Sequence, residues 1–179
     1  MKVENVFEVP ERREAVWELL SDVPRVIPCL PGATLTHAGG DEEWRAEFPV
    51  TLGPVAMIFD ATIRREAADE AAGVVRLAVK AREKNGRGAA IADVESRLEA
   101  APAATRVTVL TDLRLQGTVA RVGRSEIVEE VSRQMTDSFA NCLKAKLAQD
   151  DSAAMSAPEL RIRLRTVLAG LVRQLRRAG

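Results

Sequence analysis

Between residues 33 and 115, hydrophobic side chains recur at every second position in successive runs that are separated by glycine, asparagine or proline. A period of two is typical of β-strands that bury one face. Residues 1–9 alternate in the same way, so the sequence predicts seven strands. The predicted strands are residues 1–9, 33–37, 43–50, 55–65, 74–82, 90–98 and 105–115.

The connections between these strands are short and contain turn-forming residues such as Gly40, Gly73 and Gly86. Short connections favour antiparallel pairing of neighbouring strands. After Gly117 the hydrophobic period changes from two to three-and-four, which predicts one long helix over residues 125–149. The apolar face of that helix would contain Ile127, Val128, Val131, Met135, Phe139, Cys142, Leu143 and Leu147.

The segment between the first two strands has a helical pattern. Residues 11–20 carry an apolar helical face after Pro10, and residues 22–27 continue as a short helix or turn. Pro28 and Pro31 prevent a regular helix from continuing. We therefore predict an α+β protein with the helix-grip fold, in which a curved seven-stranded antiparallel sheet surrounds the long C-terminal helix of a domain at residues 1–148.

Several inward-facing positions of the predicted sheet carry small side chains. A sheet curved around one helix leaves a hollow unless large side chains fill it, and aromatic residues make up only 3% of the chain. We expect an apolar cavity, with closure of the gap by neighbouring side chains as the alternative. The small inward residues are Ala61, Ala81, Ala90, Ala92, Ser96 and Thr111. The candidate ligand-binding residues are Met57, Phe59, Leu77, Val79, Val94, Val109, Leu113, Val131, Met135 and Phe139.

Residues 159–179 form a basic amphipathic segment after a polar stretch, residues 149–158, which we interpret as a flexible tether. The segment has helical spacing and contains six arginines and one glutamate. We expect a helix that lies flat on an anionic membrane surface, because six arginines make spanning a bilayer too costly. The alternatives are packing on the protein's own core or on a partner protein. Nucleic-acid binding is not expected, because residues 159–179 contain no aromatic side chain to stack on bases. The predicted membrane-binding residues are Leu160, Arg161, Leu164, Arg165, Val167, Leu168, Leu171, Val172, Arg173, Leu175 and Arg176.

The sequence contains no evident catalytic constellation. Its one histidine, His37, falls at a predicted strand end beside a turn. Cys29 and Cys142 are expected to be reduced, buried and inert, because their spacing fits neither a metal site nor a small secreted disulfide framework. Metal-ligand spacing, a phosphate-binding glycine loop and a nucleophile elbow are absent, so we predict no catalytic and no metal-binding residues. The first ten residues lack a signal-peptide core, which predicts a cytoplasmic protein.

Five blocks of sequence resemble one protein family. The blocks are residues 15–22 (AVWELLSD), 27–32 (IPCLPG), 53–54 (GP), 86–90 (GRGAA) and 117–143. Together they resemble the SRPBCC superfamily of START-like lipid-binding proteins and, more narrowly, the CoxG family of carbon monoxide dehydrogenase subunits. The resemblance spans residues 1 to about 148. It implies a role in bringing a molybdenum hydroxylase of the CO-dehydrogenase type to the membrane, and it implies an isoprenoid quinone as a ligand of the cavity.

These observations lead to one functional hypothesis and two alternatives. We expect a non-catalytic protein without a covalent cofactor, which holds an isoprenoid quinone or other lipid and is peripheral on the inner face of the cell membrane. Its expected partners are the anionic membrane surface, the lipophilic molecule and the molybdenum hydroxylase complex. The alternatives are a maturation or assembly factor for that hydroxylase and a START-like cyclase or hydratase.

Overall fold

Seven antiparallel strands form a single sheet in the computed structural model, which describes residues 1–40, 42–52 and 55–149. The order across the sheet is β1-β7-β6-β5-β4-β3-β2, so β1 pairs with the last strand and the others form a meander. The strands are β1 (Lys2–Val9), β2 (Thr34–Gly39), β3 (Glu43–Leu52), β4 (Val55–Asp69), β5 (Val74–Glu83), β6 (Gly88–Ala101) and β7 (Ala104–Gly117). The predicted number of strands and their antiparallel pairing are confirmed.

The helices occupy two segments of the chain, one between β1 and β2 and one after β7. Between β1 and β2 are α1 (Arg13–Ser21), α2 (Val23–Val26) and a 3₁₀ turn (Ile27–Cys29), and the side chain of Asp22 caps α2 by accepting a hydrogen bond from the backbone N–H of Arg25 at 3.2 Å. After β7 come the short helix α3 (Thr118–Val122) and the long helix α4, residues 125–149. The sequence predicted the long helix but not α3. None of the helices in the described residues is both long enough and apolar enough to span a membrane.

The two faces of the sheet differ in chemistry. The outer face carries ion pairs between neighbouring strands, such as Arg106 with Glu8 at 3.1 Å and Arg76 with Glu95 at 2.6 Å. The inner face carries the alternating apolar side chains, as expected for an antiparallel sheet with one solvated face. The core therefore lies on one side of the sheet, between the sheet and the helices.

A disulfide joins Cys29 in the 3₁₀ turn to Cys142 in α4, with 5.3 Å between their Cα atoms. The prediction of two reduced cysteines is therefore wrong. The fold brings together two elements that are 113 residues apart in sequence. A Cα separation within the usual range of about 4.4–6.8 Å permits the bond.

One compact unit of the chain spans Met1–Lys144 and contains all the site residues described below. Gln149, predicted as the first residue of the tether, is still helical. The rest of the predicted tether and the whole predicted membrane-binding segment lie outside the described residues, and so do Gly53 and Pro54 of the family resemblance.

Candidate functional site

A cavity of about 420 Å³ lies between the inner face of the sheet and α4. Strands β1 and β3 to β7 line it, together with α3 and α4. Residues 20–30, here called the cover segment, contribute a further set of apolar side chains to the lining. These are Leu20, Val23, Val26, Ile27 and Leu30.

The hollow has a simple cause in the strand register. Ala46, Ala61, Ala81 and Ala90 are direct neighbours on four adjacent strands, β3 to β6. The methyl groups of Ala61, Ala81 and Ala90 leave a trough in the inner face, because larger side chains there would extend into the cavity. Ala46, at the end of the row, packs instead in a core cluster with Val23 and Ile27. The last three of these alanines line the cavity, and so do the other small inward residues Ala92, Ser96 and Thr111.

The structure brings nine of the ten predicted ligand-binding residues together around the cavity. The exception is Met57, which is 3% exposed and packs in a core cluster with Phe59, Ala61 and Val119. The nine that line the cavity are Phe59, Leu77, Val79, Val94, Val109, Leu113, Val131, Met135 and Phe139.

Strand β1 also contributes to the lining, which the sequence pattern did not predict. Val3, Asn5 and Phe7 face the cavity from this strand. The rings of Phe7 and Phe139 meet edge to face, with centroids 6.2 Å apart and an interplanar angle of 82°. The period-two pattern of residues 1–9 already placed these side chains on one face, but nothing in the sequence indicated that this strand pairs with β7.

The lining is almost entirely hydrocarbon and carries no charge among the described residues. Its polar members are Asn5, Ser96, Thr111, Ser132 and Thr136. The Asn5 Nδ2 group donates a hydrogen bond to Ser132 Oγ at 2.7 Å, which links β1 to α4. A lining of this kind suits a lipophilic ligand with few polar atoms.

Ionisable groups with shifted pKa values lie elsewhere. Hydrogen bonds from the backbone N–H of Arg87 and from Asn85 lower the pKa of the Glu83 carboxyl at the β5–β6 turn. The hydrogen bonds from Arg76 and Arg97 lower the pKa of Glu95 on the outer face. Neither glutamate lines the cavity. The hydrogen bonds that lower these pKa values stabilise the β5–β6 turn and the outer face of the sheet.

The histidine of the chain lies outside the cavity. His37 is exposed on β2 and is not among the lining residues. In the described part of the chain, no group of three or more potential metal ligands is found.

The disulfide belongs to the wall of the site. Cys29 lies between Ile27 and Leu30 of the cover segment, and Cys142 follows Phe139 by three residues on α4. Ile27, Leu30 and Phe139 all line the cavity. The covalent bond therefore fixes the cover segment to α4, and both contribute side chains to the cavity wall.

Comparison with known proteins identifies both a family and a fold. The model of the CoxG family of carbon monoxide dehydrogenase subunits matches residues 6–148. No curated protein matches the sequence.

Three solved structures illustrate the likeness in fold. A conserved protein from Geobacillus kaustophilus has a TM-score of 0.72 at 20% identity, covering 83% of this chain and 96% of that one. The Zhui aromatase/cyclase from Streptomyces sp. R1128 has a TM-score of 0.60 at 16% identity, with coverage of 86% and 97%. A START superfamily protein from Mycobacterium smegmatis has a TM-score of 0.55 at 15% identity, with coverage of 83% and 97%. The START-like helix-grip fold predicted from the sequence is confirmed.

Proposed function

Because the chain belongs to the CoxG family of carbon monoxide dehydrogenase subunits, we propose that it is a non-catalytic accessory protein of a CO-dehydrogenase-type molybdenum hydroxylase. In this proposal the cavity holds an isoprenoid quinone, and residues 159–179 attach the protein to the inner face of the cell membrane. The protein would take the quinone from the bilayer and present it to the soluble enzyme as an electron acceptor.

The observation that carries this proposal is the apolar, uncharged cavity of about 420 Å³. Its volume falls within the range of about 300–1,000 Å³ that is usual for small-molecule sites. Each 100 Å² of ligand hydrocarbon buried there would contribute about 2.5 kcal/mol to binding. Isoprenoid chains offer such surface, whereas a charged metabolite would lose its hydration without gaining an ionic partner from the described lining.

The lining also supports a binding role over catalysis. The described lining residues include no aspartate, glutamate, histidine, lysine or cysteine. General acid–base chemistry requires such a group within reach of the ligand, and the serine and threonine hydroxyls of the lining would need one as a neighbouring base to act as nucleophiles. A fold shared with an aromatase/cyclase therefore gives no reason to assign a cyclase reaction to this chain.

The membrane part of the proposal rests on the sequence of residues 159–179. Each arginine near an anionic surface adds about 1 kcal/mol of attraction, and the leucine and valine side chains add burial in the acyl boundary. We expect the full chain to sediment with anionic vesicles but not with neutral ones, and high salt should release it. A chain ending at Ala157 should remain in the supernatant. Sedimentation of both forms to the same extent would contradict the anchor.

The cavity part is tested by filling the hollow. Ala92→Leu adds three carbon atoms to a lining residue. At about 0.8 kcal/mol for each ligand CH₂ that is displaced, the loss would be about 2.4 kcal/mol, or about sixtyfold in affinity. Ala78→Leu is the matched control, because Ala78 lies on β5 but does not line the cavity.

The measurement is a titration of each variant with a short-chain ubiquinone, followed by quenching of tryptophan fluorescence. Saturable binding by the wild type and by Ala78→Leu, with weakened binding by Ala92→Leu, is the expected result. Equal binding by all three proteins would place the ligand outside the cavity. No saturable binding by the wild type would end the quinone proposal.

A further inference from the structure

The polar side chains of the cavity are not spread evenly over its wall. Asn5, Thr111 and Ser96 lie on β1, β7 and β6, which are neighbours at one side of the sheet. Ser132 and Thr136 lie on α4. By contrast, β3, β4, β5 and the cover segment contribute only apolar side chains to the lining. The five polar side chains are therefore confined to one half of the wall, where apolar side chains also lie. We call this the polar half, and we call the other, wholly apolar part the hydrocarbon half.

The strand register places the three sheet residues close together. Asn5 is the partner of Val109, and Val109 is the partner of Ser96, so Asn5 and Ser96 are two strands apart in one row. At the usual strand spacing, their Cα atoms are about 10 Å apart. Thr111 lies on the strand between them, two residues from Val109, and it faces the same side of the sheet.

The helix completes the polar half. Ser132 and Thr136 are four residues apart and share one face of α4. The Asn5–Ser132 hydrogen bond of 2.7 Å shows that this face meets β1 at Asn5. It is the single hydrogen bond that the side chains of these five residues make with described parts of the chain. The Asn5 Oδ1 atom and several hydroxyl groups thus retain the capacity to bond to a ligand.

We propose that Asn5, Ser96, Thr111, Ser132 and Thr136 form a headgroup subsite for a neutral ring that carries carbonyl or hydroxyl oxygens. This inference rests on the proposed function, since it assigns an orientation to the lipophilic ligand. The ring lies between β1, β7, β6 and α4, and the hydrocarbon chain runs along β3 to β5 under the cover segment.

The side chains of the subsite favour a ligand ring whose oxygens can act as hydrogen-bond acceptors in one redox form and as donors in the other. An amide supplies both a donor and an acceptor, and a hydroxyl group can rotate to serve as either. A quinone carbonyl requires donors, whereas the hydroxyl of the reduced quinol also requires an acceptor. The subsite can therefore hold both redox forms, and it disfavours a carboxylate or phosphate head, because the described lining provides no cation to pair with it.

The test compares two probes with the same ring skeleton. 2-Methyl-1,4-naphthoquinone has two carbonyl groups, and 2-methylnaphthalene has none. The variants are Asn5→Leu and Thr111→Val, which remove polar atoms at nearly constant volume, with Leu77→Met in the hydrocarbon half as the matched control. Equilibrium dialysis of the full chain gives the affinity of each variant for each probe.

We expect each polar-to-apolar variant to bind the naphthoquinone about fivefold more weakly, which corresponds to one lost hydrogen bond, and to bind the hydrocarbon within about twofold of the wild type. The control should change the two affinities equally. Ser132→Ala is the second variant if Asn5→Leu does not fold.

Three outcomes would overturn the subsite. An equal loss for both probes would mean that the residues act only through packing. Unchanged naphthoquinone binding in the variants, with saturable binding by the wild type, would reject the headgroup subsite and leave the quinone-binding proposal intact. A wild type that binds only the hydrocarbon would overturn both the subsite and the proposed quinone.

Discussion

Reduction of the Cys29–Cys142 disulfide should remove a large share of the protein's stability. The bond closes a loop of 113 residues. In the chain-entropy treatment, a loop of this length restricts the unfolded state by about 4.8 kcal/mol at 25 °C. Whole domains of this size are stable by only about 5–15 kcal/mol, so the reduced protein should be marginally stable.

Urea unfolding, followed by tryptophan fluorescence with and without dithiothreitol, measures this effect. With a slope of about 2 kcal/mol per M urea, the midpoint should fall by about 2.4 M on reduction. The double variant Cys29→Ala/Cys142→Ala is the control, and its midpoint should not respond to the reductant.

Thiol titration in denaturant without reductant decides whether the bond is present. Two free thiols before reduction would show that the bond does not form. If no free thiol is found and yet the midpoint is the same with and without dithiothreitol, the loop-closure reasoning is refuted.

Three further predictions concern stability. Gly88→Ala should lower the free energy of unfolding by about 3 kcal/mol, because an added Cβ would overlap the backbone oxygen of Gln116 on β7. Gly86→Ala has open space around the added Cβ and should lower it by about 1 kcal/mol. Chemical denaturation compares the two variants. Leu143→Ala, at a fully buried position, should lower the free energy of unfolding by about 2–5 kcal/mol. In the same assay, Ile58→Ala, at a position that is 44% exposed, should lower it by less than about 1 kcal/mol. Because the pKa of Glu83 is lowered in the folded protein, its ionised carboxylate contributes to folding stability. This contribution is present above the ordinary glutamate pKa of about 4.3 and is lost as the pH falls through the lower folded-state pKa. Thermal melts from pH 6 to pH 3 should therefore show a steeper loss for the wild type than for Glu83→Gln, and parallel curves would contradict this.

The sequence predicted the elements well because each has a strong local period. The seven strands follow from alternation, and the long helix follows from three-and-four spacing. The observed bounds differ from the predicted ones by four residues or fewer. The short helix α3 was missed, since five residues between Gly117 and Gly123 are too few to show a helical period. The basic segment at residues 159–179 remains a prediction.

The composition of the cavity was predictable only in part. Small residues at inward positions indicated a hollow, but the row from Ala46 to Ala90 depends on how four strands align, which no single strand reveals. The same limit hid Asn5 and Phe7, because their role follows from the pairing of β1 with β7. The disulfide was missed for a related reason, since it links two elements that only the complete fold brings together.

The central claim is that the cavity holds a lipophilic quinone. The most direct measurement is the quinone content of the full-length protein, purified without detergent from cells that contain isoprenoid quinones and extracted with organic solvent. We predict close to one quinone per chain in the wild type and much less in Ala92→Leu. A wild-type extract with no quinone, from protein that also fails to take up added quinone, would contradict the account.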